Sequence, residues 1–197
     1  MQGEIEAYFR TLGGIGERIE ASGRAGAPLA LGDATAKFLE TAKRTRREKT
    51  RIFFVGNGGS AGICSHMATD WLKNGGFASV ALNDGSMLTC LGNDLGFDQV
   101  FSKQVEMHGR TGDLLVAISS SGNSANILRA VDAARAAKMQ VVTLSGFGKD
   151  NKLRRLGDVN FYVPDDRYGF VEISHLSICH AVLDLSMALT LADKAKA

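Results

Sequence analysis

Residues 51–60 read Arg-Ile-Phe-Phe-Val-Gly-Asn-Gly-Gly-Ser, and residues 113–124 read Asp-Leu-Leu-Val-Ala-Ile-Ser-Ser-Ser-Gly-Asn-Ser. In each, an apolar run rich in β-branched residues ends in a glycine- or serine-rich turn, and a helical pattern follows. Each therefore reads as buried strand, tight turn and helix N-terminus. Further apolar runs at 78–83, 140–144 and 159–163 alternate with helical patterns at 61–73, after Ser86, through Met107, at 124–137, at 150–156 and from about Phe170 to Ala192. Strands alternating with helices predict α/β architecture: a three-layer αβα sandwich on a five-stranded parallel sheet, with ligand sites at the carboxyl ends of the strands. Both turns fall at such ends.

The segment before this core reads as two helices. One spans residues 3–23, with Ile5, Tyr8, Phe9, Leu12, Ile15 and Ile19 at steps of three and four, weakened by Gly13, Gly14 and Gly16. The other runs from an Asp33 cap to about Arg47, with Ala36, Leu39, Ala42 and Lys43 on or near its inner face. A chain of 197 residues suits one domain, with helices in 1–50 and the core in 51–197. The basic run 43–51 admits a nucleic-acid reading, but it also fits the solvated end of a helix, where cations complement the dipole. A net charge of +2 gives no electrostatic case for nucleic acid or membrane partners. No apolar run approaching a membrane span is expected. Cys64, Cys90 and Cys179 are odd in number and lack C-x-x-C spacing, which reads as reduced thiols in a cytoplasmic protein.

The turns carry the chemistry. Gly56, Gly58 and Gly59 let backbone approach a ligand, and the free N–H groups opening the next helix favour an anion there. Ser60 adds a hydroxyl. Ser119, Ser120, Ser121 and Ser124 supply four more in six residues. No Gly-Lys-Ser/Thr closes either turn and the spacing is not a dinucleotide fingerprint, so the pair suits a terminal phosphate held by neutral donors. His66 and Asp70 lie four apart on one helical face. Glu172 and His180 lie eight apart on the last helix, about 80° around its axis. His66, Asp70, Glu172 and His180 together form a candidate Zn²⁺-type ligand set. His175 points elsewhere, to packing or to support of the site. Each helical histidine also fits a hydrogen-bonded place in the core.

These motifs resemble the SIS (sugar isomerase) domain family, and within it the phosphoheptose isomerases. The residues that carry the resemblance are Gly56-Asn-Gly-Gly-Ser60, His66, Gly92-Asn93-Asp94, Gly112-Asp113, Ile118 to Ser124, and His180. The resemblance covers nearly the whole chain and implies a flavodoxin-like fold and isomerisation of sedoheptulose 7-phosphate to a heptose 7-phosphate. It further implies a homotetramer with sites at subunit interfaces and one bound zinc per site. By position, Asn57, Gly58, Gly59 and Ser60 match the substrate loop, Asn93 and Asp94 a second substrate-binding pair, and Ser119, Ser120, Ser121 and Ser124 the phosphate cradle.

Four features depart from the family pattern. Asp70 stands where the family has Glu, about 1.5 Å shorter in reach, and Glu172 stands where it has Gln. The Arg-containing loop after the first core helix is shortened to Lys73-Asn-Gly-Gly-Phe77, and Tyr168-Gly-Phe170 differs from the usual approach to the last helix. The two carboxylate changes compensate on paper. Aldose–ketose isomerisation needs a base at carbon and an acid/base at oxygen; His180 with Asp70 or Glu172 fills those roles. Two other readings stay open: a non-catalytic phosphosugar-sensing or protein-binding module, and an isomerase of another sugar phosphate.

Overall fold

In the computed structural model, which describes residues 1–194, the sheet has seven strands rather than the five expected. The strands are β1 (Glu20–Gly23), β2 (Pro28–Leu29), β3 (Ile52–Gly56), β4 (Ser79–Ala81), β5 (Leu114–Ser119), β6 (Gln140–Ser145) and β7 (Val159–Tyr162). Their order is β2-β1-β7-β6-β5-β3-β4. The last five positions, β7 to β4, form the expected parallel sheet, with Gly56 in register with Ile118 and Ser119 with Ser145. β1 and β2 are the correction. The expected helix over 3–23 ends as α1 (Gln2–Gly14), and Glu20–Gly23 instead runs antiparallel along β7. Uncovered, the N–H and C=O groups of β7 would stand unpaired at a sheet edge. Pro28, which donates no hydrogen bond, sits in the outermost strand, where none is required.

Helices cover both faces. α2 (Leu31–Glu48), α3 (Gly59–Lys73) and α7 (Tyr168–Lys194) pack on one, and α4 (Gly85–Leu95), α5 (Ser102–His108) and α6 (Ala125–Ala136) on the other. On the first face Trp71 stacks within 5.2–5.6 Å of Phe38, Phe54 and Phe77, tying α2 and α3 to β3. α2 is capped by Ala30, not Asp33, which falls in its first turn. Its buried face is Ala34, Phe38, Leu39, Ala42 and Thr45, so Ala36 and Lys43 lie off it. The expected helix at 150–156 is only a short turn, Leu153–Arg155. The loop expected at 91–97 is largely helix, because α4 continues to Leu95.

α7 is long and apolar enough, by length and composition, to cross a membrane, contrary to the expectation that no run approaches one. Of that apolar window 33% is buried: Phe170 and Val171 pack with Ile15 and Val163, and Ile178, Cys179, Val182 and Leu183 pack in the core with α2 and α3, while Ile173, Leu185, Met187, Leu189 and Leu191 are exposed.

Candidate functional site

The chain passes from β3 outward to β4 in one direction and to β5, β6 and β7 in the other, so the order of strands reverses between β3 and β5. The crevice outside the carboxyl ends at such a reversal is where open α/β sheets bind ligands. The two glycine/serine turns flank it. Asn57 and Asn126 lock them together by a reciprocal amide pair, 2.9 Å in each direction.

A cavity of about 210 Å³ opens there, lined by Asn57, Gly58, Gly59, Ser60, Ser119, Ser120, Ser121, Ser124, Tyr168 and Glu172. Eight of these residues are the expected substrate-loop and cradle positions. Ser119 Oγ lies 3.4 Å from Ser121 Oγ and 3.2 Å from Ser124 Oγ, and it accepts the Gly122 N–H at 3.2 Å. Gly122 turns the loop at φ +63°, and the space beside it is filled by Asn151. Ser120 Oγ is buried on the cavity wall with no hydrogen-bond partner among the described residues. A buried hydroxyl without a partner carries a desolvation cost that a ligand's acceptor atom would remove. Serine hydroxyls and the N-termini of α3 and α6 are the donors an anion meets here.

Glu172 is the only charged residue among those lining this cavity. It reaches over from α7, and its carboxylate lies so close to Gly59 that any side chain at 59 would collide with it. Tyr168, one turn earlier on α7, closes the same side, edge-on to Phe147 at 4.9 Å. No spacing rule in the sequence pointed to Tyr168 as a wall of the cavity.

A second group stands further along the α3–α7 seam. His66 Nε2 is 3.2 Å from His180 Nε2 and 3.5 Å from Asp70 Oδ2. The ligand atoms of His66, Asp70 and His180 all lie within 4.8 Å of one another. The donor set fits a zinc-type ion. Two imidazole nitrogens each 2.0–2.1 Å from one tetrahedral ion stand about 3.4 Å apart, close to the observed spacing, and a carboxylate completes a three-ligand arrangement.

Glu172 is not a member of this group within one chain, which corrects the four-residue ligand set. Residues 172 and 180 share a face of α7, but eight residues of helix advance about 12 Å along the axis. On α3, the seven residues from Gly59 to His66 advance about 10 Å in step with them. The seam thus has a cavity end and a histidine end. Asn93 and Asp94 lie apart from both, exposed in the last turn of α4. Asn93 Nδ2 donates to Asp94 Oδ1 at 2.8 Å, and Asp94 Oδ2 accepts from Cys90 Sγ at 3.7 Å.

The family model for the SIS domain matches residues 30–146. The phosphoheptose isomerase of Bordetella avium is 40% identical over 83% of this chain and 87% of its own length. That of Neisseria meningitidis serogroup B is 39% identical over 93% of each chain. Among solved structures, phosphoheptose isomerase from Neisseria gonorrhoeae superposes with a TM-score of 0.81 at 36% identity, covering 94% of this chain and 98% of that one. The enzyme from Francisella tularensis gives 0.82 at 28% identity, covering 95% and 98%. The chain belongs to the SIS domain family and, within it, to the phosphoheptose isomerases.

Proposed function

We propose that this protein interconverts D-sedoheptulose 7-phosphate and D-glycero-D-manno-heptose 7-phosphate by proton transfer through an enediol(ate). The observation that carries this reading is the pairing, along one seam, of a serine-lined cavity walled by Glu172 with the His66/Asp70/His180 cluster. The phosphate sits among Ser119, Ser120, Ser121 and Ser124 at the N-terminus of α6. Asn57, Gly58, Gly59 and Ser60 hold the first sugar oxygens. An extended seven-carbon chain measures roughly 8 Å, from six bonds of about 1.5 Å at tetrahedral angles. It therefore spans most of the helical advance between the cavity and the histidines.

Isomerisation removes a proton from C1 of the ketose and returns one to C2, while the hydroxyl proton passes from O1 to O2. His180 with Asp70 or Glu172 carries the protons at carbon and oxygen, each in this role only while it is not bound to a metal. His66, Asp70 and His180 would hold a Zn²⁺ ion, which supplies polarisation of the carbonyl and hydroxyl oxygens when bound. Anchoring at the phosphate contributes orientation, so that the reacting carbons meet these groups in one geometry. Asn93 and Asp94 are proposed as further substrate contacts in the assembled protein.

That assembly is proposed as a homotetramer. Ile5 and Phe9 on α1, and Leu185, Leu189 and Leu191 on α7, are exposed apolar residues that a second copy would cover. The cytoplasm is the proposed compartment, in keeping with the free thiols of Cys64, Cys90 and Cys179. The test is aldose formation from sedoheptulose 7-phosphate with and without added Zn²⁺. Metal-dependent turnover supports the reading. No turnover, with the phosphosugar still raising the thermal midpoint, would favour a phosphosugar-sensing module or an isomerase of another sugar.

A further inference from the structure

His175 on α7 is fully buried, and the isomerisation chemistry makes no use of it. Its Nε2 lies 3.1 Å from the Ser145 carbonyl oxygen. A carbonyl oxygen can only accept, so the ring carries its proton on Nε2 and leaves Nδ1 bare. Nδ1 has no partner. The Ser145 oxygen is already satisfied by the Val163 N–H at 2.9 Å, so β6 and β7 pair without the histidine.

What the ring adds becomes clear from the other side of the same peptide unit. The Ser145–Gly146 peptide accepts from His175 through its C=O and donates through its N–H to the Ser120 carbonyl at 3.0 Å. A hydrogen-bonded series therefore runs from the imidazole, through one rigid peptide plane, to the cradle residue whose hydroxyl is buried without a partner. Bonds in such a series polarise one another. α7 lies directly over this peptide: a side chain at Gly146 would meet Val171 Cγ1 at 2.6 Å, one turn before His175. The ring is thus held against the plane it orients.

We propose that His175 is a positioning residue for phosphate binding, setting the Ser145–Gly146 peptide plane and through it the placement of Ser120 in the cradle. The proposal rests on the reading of the serine cavity as a phosphate site. It separates from a purely structural role because of the orphaned Nδ1. A buried acceptor without a partner destabilises the fold, so an apolar replacement should cost binding without costing stability.

The test compares wild-type protein with His175→Leu and His175→Gln. It measures the Kd for inorganic phosphate, the KM and kcat for sedoheptulose 7-phosphate, and the thermal midpoint. Expected is a rise of about tenfold in both Kd and KM for His175→Leu, the size of effect one lost hydrogen bond produces. Its kcat should stay within about threefold and its midpoint at or above that of wild type. The Gln variant, whose amide N–H can donate to Ser145, should recover most of the binding. A folded His175→Leu protein with wild-type Kd overturns the proposal, as does one that loses kcat with KM unchanged.

If the Leu variant fails to fold, ¹⁵N-histidine NMR of wild type decides. A neutral Nε2–H tautomer whose resonance moves on saturation with inorganic phosphate is expected, and an Nδ1–H tautomer or an unmoved resonance overturns it. Wild-type protein that binds phosphate but turns over no sedoheptulose 7-phosphate defeats the isomerase reading alone. Wild-type protein that binds no phosphate defeats both.

Discussion

His66 and His180 face each other across the α3–α7 seam with their Nε2 atoms 3.2 Å apart, and Asp70 stands one turn further along α3 from His66. Two such nitrogens on separate helices meet either through one shared proton or on one ion. The ion reading has a thermodynamic signature that needs no activity assay. A metal that binds the native state alone stabilises it by about 2.7 kcal/mol at a hundredfold excess over Kd. Added Zn²⁺ should therefore raise the thermal midpoint of wild type. His180→Ala should abolish that rise, with affinity falling by more than the roughly 10- to 100-fold that loss of a supporting contact costs. A midpoint rise that survives both His66→Ala and His180→Ala would place the ion elsewhere.

Glu172 belongs to the cavity, and its replacement should separate chemistry from binding. Glu172→Gln keeps the shape that Gly59 accommodates while removing the proton-carrying capacity. Turnover should fall by about 10²–10⁴-fold, the usual contribution of a positioned acid/base. Phosphate affinity should hold or improve, because a negative charge leaves the wall of an anion site. Retained turnover in this variant would transfer the base role to Asp70 or His180.

Gly122 turns the cradle with φ +63° and its missing side chain would collide with Asn151. Gly122→Ala should therefore destabilise the protein by about 1–3 kcal/mol, the usual cost of a strained backbone position. It should also weaken phosphate binding, since Ser119 Oγ accepts the Gly122 N–H. Urea unfolding and phosphate titration of the same preparation report both effects. A change in stability with unaltered phosphate affinity would dissociate the turn from the cradle.

The parts that were legible in the sequence are those where local chemistry and tertiary demand coincide. Ile52–Gly56 and Leu114–Ser119 are apolar because both faces of their strands are covered, so composition alone announces them. Ser119 ends β5 and Ser120, Ser121 and Ser124 follow it directly, so a run of hydroxyls at a strand's carboxyl end marks a cavity wall. Glu20-Ala-Ser-Gly23 carries no strand signal, and only the open edge of β7 makes it a strand. Asn93 and Asp94 read as loop by their poor helix propensity, yet α4 runs through them. Glu172 shares a face of α7 with His180, but its carboxylate lies beside Gly59 and outside the His66/Asp70/His180 group, a placement that position around the helix alone does not encode. Tyr168 lines the cavity only because α7 begins where the two turns end, which no local pattern encodes.

His175 also gives the protein an acid-sensitive element. Burial is the main cause that holds its pKa down to about 4 from an ordinary 6.5, and its bond to the Ser145 carbonyl opposes the shift only in part. As pH falls below about 6.5 the unfolded chain takes up a proton at this residue, while the native state takes it up only near pH 4. Stability rises with pH wherever the unfolded state binds more protons. The contribution is therefore complete above about pH 6.5 and is lost progressively as pH falls toward 4. The whole span amounts to about 3 kcal/mol. Other groups titrate in this window too, so the quantity to measure is the difference in unfolding free energy between wild type and His175→Leu, at pH 7.5 and at pH 4. The difference should move against wild type by about 3 kcal/mol on acidification. Parallel pH profiles for the two proteins would mean that the ring is protonated in the native state, and that its hydrogen bond to Ser145 persists in the charged form.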